Sequence, residues 1–366
     1  MSCVSCRHYR IATRYNARMF VCSHLSRLLP CALSHWLLPL PWTALLACLG
    51  VLLDRIAGEP RHAHPLVGFG RVASHLERRM NRTDVEAAGS NRFGGTWHRF
   101  CGCVAWAVMV LPPTALALWL IAHLPFALAC ALHVLLLWFA LGARSLHDHL
   151  TPIAQALAAG DLTLARRLTA RIVSRDTTDA DAAALARAAV ESALENGNDA
   201  IFGALFWFAL AGGPGALAFR LINTLDAMWG YRTPRLLAFG WAAARIDDLA
   251  NWLPARLTAA TYALCGDSRC ALHCWQTQAP SWDSPNAGPV MAAGAGSLGV
   301  RLGGAARYHG RIESRPVLGS GAAPAATDIG RAQRLVRSAL AVWLATLAVL
   351  GLVAALAPAL TVLQHA

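Results

Sequence analysis

Three stretches of this chain, Cys101 to Ala122, Leu124 to Ala143 and Ser338 to Leu363, contain no charged residue. Each is long enough to cross a hydrocarbon layer roughly 30 Å thick as a helix. A shorter run, Leu37 to Leu53, carries Pro39 and Pro41 and is a weaker candidate. Ala200 to Phe219 has about the right length but holds Gly212, Gly213, Pro214 and Gly215. The expected fold is therefore all-α: a polytopic integral membrane protein of four to five transmembrane helices with helical polar loops. A mean hydropathy of +0.43 agrees, and overrides the two soluble domains that 366 residues alone would suggest.

The formal net charge is +12, and every one of the 32 basic residues is Arg. With no Lys, any phosphate must be held by Arg, by backbone N–H groups or by a metal ion. Nucleic-acid binding is the usual reading of a basic chain, but these Arg residues sit in loops between spans. Membrane topology explains them better, so the bilayer is the expected partner and nucleic acid is not. Residues 54–100, 144–199 and 220–337 carry 8, 6 and 13 Arg, which places all three in the cytoplasm by the positive-inside rule. A single crossing at 200–219 would put the last of them outside. That segment is therefore read as a re-entrant or protein-buried hairpin, broken at Gly212–Gly215; the alternative is that the uncharged stretch Ser284 to Val300 crosses back.

The organisation that follows has a basic tail at 1–36, with five Arg and no acid. Cytoplasmic placement of the tail would force 54–100 outside, so the tail is read as an over-long gene model starting truly at Met19 or beyond. Membrane helices with a polar loop occupy 37–143. A helical cytoplasmic segment spans 144–199, a membrane-associated catalytic region 200–337, and a last transmembrane helix 338–366.

The polar stretches carry the chemistry. Asp161 is placed to cap a helix running through Leu164, Leu168 and Ile172, and Asp179 or Asp181 to start an Ala-rich one. On the latter, Glu191, Glu195 and Asp199 recur at i, i+4 and i+8, with Arg187 one turn earlier. The plain reading is a solvated face with one Arg–Glu pair. The sharper one is a carboxylate row at a membrane border, where acids are costly unless partnered. Arg245, Asp247, Asp248 and Asn251 form a second cluster, and Asn223 with Asp226 offers a similar i, i+3 pair upstream. Carboxylates and amides at such spacing can hold Mg²⁺, with phosphate oxygens and water completing its shell. Gly294, Gly296 and Gly299 fit G-x-G-x-x-G, which serves a phosphate loop or close helix packing equally well. Cys265, Cys270, His273 and Cys274 have loosely zinc-like spacing but crowd one segment with no second pair. The pairs His62/His64 and His147/His149 read as loop histidines.

In order along the chain, these segments resemble one family, the CobD/CbiB proteins of cobalamin biosynthesis. The resemblance opens with Leu53 to Pro60, His64-Pro65 and Gly70-Arg71, and continues through Ile172 to Thr177, Glu191 to Asp199 and Leu205 to Trp207. It is most specific at Ile222 to Asp226, Gly230 to Thr233, Phe239 to Asn251 and Pro254 to Thr258. It closes on Ser284 to Gly288 and Gly303-Gly304, covering about residues 45–312. Glu59 stands where the family usually has Asp, Ala200 where it has Gly, Ala204 Pro, Phe219 Tyr and Ala227 Ser. None of these departures removes a carboxylate.

The resemblance implies an adenosylcobinamide-phosphate synthase of the inner membrane. Such an enzyme joins adenosylcobyric acid to (R)-1-aminopropan-2-ol or its phosphate by ATP-dependent amide formation. The corrinoid is substrate rather than cofactor, ATP and Mg²⁺ are the expected cofactors, and no sequence signal bears on oligomeric state. Glu195, Asp199, Asp226, Asp247 and Asp248 are the expected catalytic residues, with Asp226, Asp247 and Asp248 as Mg²⁺ ligands. Arg175, Arg232, Arg245, Asn251, Arg256 and Asn286 are the expected substrate or phosphate contacts. Two other classes compete: a Mg²⁺-dependent intramembrane prenyltransferase, which needs about eight or nine spans, and a non-catalytic membrane scaffold, which would lack the carboxylates.

Overall fold

The computed structural model describes residues 38–59, 65–81, 92–308 and 310–363. The expected extension at 1–36 and the pair His62/His64 lie outside them. Of the described residues, 77% are helical. Helix α1 spans Leu40–Ala57. Its two prolines, which weakened the sequence reading, sit at the cap (Pro39) and in the first turn (Pro41), where no backbone N–H is needed. Helix α2, Pro65–Met80, is amphipathic. Helices α3, Arg92–His123, and α4, Phe126–Ala140, form the expected tight pair, turning at Leu124-Pro125. Helix α5, Ala143–Ala158, follows directly on α4, and Gly160 at φ +75° turns the chain into α6, Leu162–Thr169. Asp161 caps α6 by accepting from Leu164 N over 2.8 Å, but the helix stops before Ile172.

Helix α7, Ala182–Gly197, is capped by Asp181 rather than Asp179. A π-helical turn, Asn198–Phe202, joins it to α8, Gly203–Trp229. By length and composition, five helical segments of the described chain could cross a membrane: Leu40–Ala57, Gly95–His123, Phe126–Ala158, Ala182–Trp229 and Ala326–Ala357. The fourth does not run straight. At Gly212 (φ +62°, ψ −155°) the backbone leaves the helix, in a conformation open to glycine. Beyond it the chain reverses. A Cβ on Gly215 would lie 2.3 Å from the Trp207 carbonyl oxygen, and one on Gly203 would lie 2.1 Å from the Phe219 ring. In an unbroken helix these pairs would stand about 12 and 24 Å apart at 1.5 Å per residue. The segment is thus a buried helical hairpin, as expected, broken at Ala211–Gly212. Its tip docks on α4, where Gly213 N donates to His133 Nδ1 over 2.8 Å.

The remaining elements are α9 (Trp241–Cys265), α10 (Ser268–Gln278), α11 (Ala287–Leu298), strands β1 (Arg301–Tyr308) and β2 (Arg311–Gly319), and α12 (Ala326–Leu363). The antiparallel β-pair was not expected. It runs in register from Arg301 opposite Gly319 to Tyr308 opposite Arg311, with a bulge at Gly303/Gly304. The main core gathers α1, α4, the hairpin, α9, α11 and α12 around Leu137, Phe202, Phe208, Phe219 and Tyr262. A second cluster seats α2 and α3 against the outgoing hairpin arm through Ala105, Leu225, Trp229 and Phe239.

This packing sorts the molecule into two ends. Trp42 and Phe126 meet edge to face near the starts of α1 and α4, and Gly351 of α12 approaches the Leu40 carbonyl. At the other end, Asp54 of α1 accepts from Arg144 N just beyond α4, and Gly142 N donates to Ala200 O at the base of the hairpin. Residues 143–199 and 230–325 therefore emerge from one end of the membrane helices.

The glycines of the G-x-G-x-x-G pattern lie on or just after the fully buried α11. A Cβ on Gly294 would strike Leu194 at 2.7 Å, one on Gly296 would strike the Ala271 backbone at 2.7 Å, and Gly299 ends the helix at φ +64°. The pattern serves close packing and helix termination, not a phosphate loop.

Candidate active site

The site forms where α7, the hairpin and α9 meet. The Ala-rich sequence of α7 lets it pack tightly, and its carboxylate face turns inward rather than to solvent: Glu191 is 2% exposed. Arg187 does not pair with Glu191, and its Nη2 donates instead to the Ala305 carbonyl at 3.4 Å. Glu191 is held by Arg175, by Arg315 (3.1 Å) and by the Gly303 N–H (2.8 Å). It thereby fastens the β-pair onto the carboxylate helix.

Just beyond, the π-turn changes the helical phase, a feature common at functional sites. Asn198 and Asp199 face α9 from this turn. Thr258 Oγ1 donates to Asn198 Oδ1 (3.0 Å), Asn198 Nδ2 donates to Asn251 Oδ1 (2.8 Å), and Asn251 Nδ2 donates to Asp247 (3.1 and 3.2 Å). Every donor in this relay points toward the Asp247 carboxylate. Asn223, from the outgoing hairpin arm, adds a 3.4 Å bond to the same group.

Asp226 lies at the end of that arm, so close to Gly230 that a Cβ there would stand 2.0 Å from its Oδ1. The loop before α11 covers the site. Asn286 Nδ2 donates to the Asp248 carbonyl (2.8 Å), and Arg256 Nη1 donates to Asn286 Oδ1 (2.7 Å).

Glu195, Asp199, Asp226, Asp247 and Asp248 all line one cavity of about 330 Å³, with Asn251, Asn286 and Arg232. Three expected contacts lie elsewhere. Arg175 is committed to Glu191 and faces an adjoining cavity of about 400 Å³ under the β-pair. Arg245 pairs with Asp248 at 3.5 Å and is largely exposed. Arg256 braces Asn286 while stacking over Trp252 at 4.7 Å. Glu195 and Asp283 stand in the walls of both cavities.

Among the described residues, Glu195, Asp199, Asp226 and Asp247 have no ion-pair partner within 4.0 Å. Burial pushes the Asp247 carboxyl well above the usual carboxylate range, and the neighbouring Asp199 and Asp226 push it further. Burial also raises Asp248, against the pull of Arg245 and Arg232. Mutual repulsion among buried acids is the electrostatic signature of a place that takes a cation. No group of three His, Cys, Asp or Glu side chains among the described residues stands in a ligating array. Cys270 and Cys274 lie 3.9 Å apart, and Cys270 also contacts Ser320 at 3.0 Å.

Asn198 and Thr258 were absent from the sequence-based site, and Asn223 stood in it only as the i, i+3 partner of Asp226. The run Asn196-Gly-Asn-Asp199 beside the carboxylate row was the available signal for Asn198. Arg315, and Arg220 described below, had none, because their roles depend on contacts distant in sequence.

A helical membrane protein with an acid-lined cavity at its polar end is the class that this fold and site define. The chain belongs to the CobD/Cbib protein family, whose model matches residues 47–336. It is 58% identical to the cobalamin biosynthesis protein CobD of Stutzerimonas stutzeri over 297 residues, which cover 81% of this chain and 94% of the relative. It is 53% identical to the protein of the same name from Chromobacterium violaceum over 303 residues, covering 83% and 95%. Against that of Mycobacterium tuberculosis the identity is 42% over 294 residues, covering 79% and 90%. No solved structure matches.

Proposed function

We propose that this chain catalyses the amide-forming step of cobalamin biosynthesis that its family resemblance implies. In this reading adenosylcobyric acid is joined to (R)-1-aminopropan-2-ol or its phosphate, at the expense of ATP. The observation that carries the reading is the convergence of Glu195, Asp199, Asp226 and Asp247 from three elements, without ion-pair partners, in one cavity. A carboxylate resists attack by an amine until its oxygen becomes part of a better leaving group, and phosphoryl transfer from ATP supplies one. Catalysis of such a transfer is largely positioning and charge neutralisation.

The donor set fits Mg²⁺, which takes oxygen ligands and keeps several waters. With no three carboxylates in a ligating array, one or two of Asp226, Asp247 and Asp248 would hold it together with water and phosphate oxygens, and Mg²⁺ would neutralise the nucleotide phosphates there. The Asn198–Asn251 relay fixes the Asp247 carboxylate. Arg232 stands in the cavity wall as the phosphate contact, and Asn286 closes the loop over it. Glu195, shared by both cavities, lies between the nucleotide side and the larger space under the β-pair, which suits part of a bulky corrinoid.

The Arg-rich polar end faces the cytoplasm and the spans lie in the inner membrane, a reading supported by 6 Arg at 144–199 and 13 at 220–337. The prenyltransferase alternative is not favoured: the described chain offers five apolar helical segments, one of them folded back. The scaffold alternative meets an intact set of carboxylates.

The test is conversion of adenosylcobyric acid by membranes carrying the protein, with ATP, Mg²⁺ and either amine. Amide product that requires both ATP and Mg²⁺ is expected. Absence of product with both amines, or product formed without ATP, would overturn the reading.

A further inference from the structure

A second polar space lies on another face of α7. Ser192, Asn196 and Ala200 form a row one residue round from the carboxylate row, and they wall a cavity of about 190 Å³ with Glu59, Ser145 and Arg220. Glu59, Ser145 and His149 continue from it into a wider space of about 370 Å³, edged by Arg171. None of these polar groups belongs to the acid-lined cavity.

Arg220 is the unusual member. It sits on the outgoing hairpin arm, and its side chain is 18% exposed. Its Nε is buried and makes no hydrogen bond among the described residues. Its only ion pair among the described residues is a loose one, Nη2 to Glu59 Oε1 at 3.8 Å. Glu59 is meanwhile engaged by Ser145 Oγ, which donates to Oε2 over 2.9 Å. A buried guanidinium with an unmade hydrogen bond carries a desolvation cost that an anion of matching shape would offset. The cavity also presents a carboxylate, Glu59, within a few ångströms of that guanidinium. Asp199, on the acid-lined side, lies within electrostatic reach of Arg220.

From this juxtaposition we infer that the Glu59–Arg220 cavity is the binding site for a small zwitterion, a primary amine bearing a phosphate-class anion. The anion engages Arg220, with Ser145 and Arg171 at hand, and the ammonium is held by Glu59 and the nearby acids. The assignment rests on the amide-forming reading and deepens it. The two small co-substrates approach α7 from different faces, nucleotide at the Asp247 side and amine at the Arg220 side, with the Glu195–Asp199 segment between them.

The test is calorimetric titration of the full chain in phosphatidylcholine nanodiscs with ethanolamine phosphate, inorganic phosphate and ethanolamine. Ethanolamine phosphate is expected to bind at least tenfold more tightly than either fragment. Arg220→Gln should weaken ethanolamine phosphate and inorganic phosphate at least tenfold. Glu59→Gln should weaken ethanolamine phosphate and ethanolamine but not inorganic phosphate, and Asp247→Asn should leave all three unchanged. Wild-type affinity in both Arg220→Gln and Glu59→Gln would overturn the site, as would equal weakening by Asp247→Asn. If Arg220→Gln does not fold, Arg171→Gln at the cavity edge replaces it, with a few-fold loss expected and no loss counting against the site. Loss of the titration in phosphatidylethanolamine discs would assign the cavity to a lipid headgroup and overturn the co-substrate assignment. Because the readout is binding without turnover, it stays informative even if the conversion assay fails.

Discussion

Asn198 donates to Asn251 across 2.8 Å, and both side chains are buried, at 3% and 1% exposure. This bond fixes the π-turn at the base of the hairpin against α9, and passes its polarity on to Asp247. Replacing Asn251 by Leu leaves Asn198 Nδ2 with Asp199 Oδ1 (2.9 Å) as its remaining acceptor, and removes the one amide donor that contacts both Asp247 oxygens. The expected cost is about 1–3 kcal/mol for the buried hydrogen bonds left unmade. Thermal unfolding of the purified protein should show the loss, and conversion of adenosylcobyric acid should fall more steeply than stability does. An unchanged melting temperature would show that the relay contributes nothing.

Asp247→Asn is expected to separate stability from activity. The Asp247 carboxyl is pushed up by burial and by Asp199 and Asp226, so its charge burdens the metal-free fold. An amide keeps the shape and removes that charge. The variant should insert normally, unfold at a higher temperature than wild type without Mg²⁺, and lose cobinamide formation across a Mg²⁺ titration. Near wild-type conversion at low Mg²⁺ would make this residue structural.

The same carboxyl predicts the pH profile of the metal-free protein. Unfolded, Asp247 releases its proton near pH 4. Folded, it retains that proton to a much higher pH. Between the two values the folded state binds more protons, so its contribution is full below about pH 4 and declines as pH rises through the folded value. Mg²⁺, which binds the ionised form, should restore stability most at the high end of that window. Denaturant titrations at several pH values, with and without Mg²⁺, measure this. A stability that climbs through the window without Mg²⁺ would contradict it.

Glu191→Ala should be the most destabilising single change at the polar end. It leaves Arg175 and Arg315 facing each other with side chains only 12% and 16% exposed. Breaking a buried pair from one side costs about 3–5 kcal/mol. Protease sensitivity of the β-pair, monitored beside global unfolding, should rise first. Equal sensitivity in wild type and variant would show that the β-pair is held by its other contacts.

Reporter fusions at Gly160 and Gly319 should report the same side, and one at His123 the opposite side. Gly160 and Gly319 precede and follow the hairpin, so a straight crossing at 203–229 would give them opposite reports.

The parts of this fold set by local chemistry were readable in the sequence. The uncharged runs marked the spans, Asp161 and Asp181 marked helix starts, and the Gly212–Gly215 cluster marked a reversal. The carboxylates of the site could be named because i, i+4 spacing fixes a helical face. The partners of those residues could not. Whether Glu191 meets Arg187, four residues away, or Arg315, far along the chain, is decided by how β1 and β2 settle on α7. Arg175 and Arg256 are drawn from phosphate contact into bracing for the same reason. The β-pair itself hid in an Arg- and Gly-rich stretch with no clean alternation. The π-turn leaves no sequence mark at all, since it shifts the helical phase by a single residue.

The bond from Gly213 N to His133 Nδ1 has a bearing on how the molecule is made. An amide at the tip of a helical hairpin cannot be satisfied within the hairpin, and lipid offers it nothing. The acceptor must come from another helix, and it must be a neutral imidazole with its proton on Nε2. His133 leaves the ribosome 80 residues before Gly213. The α3–α4 pair can therefore be seated in the bilayer when the hairpin is synthesised, with its docking point waiting. Order of synthesis and order of need coincide, and an early helix acts as an internal guide for the insertion of a later one.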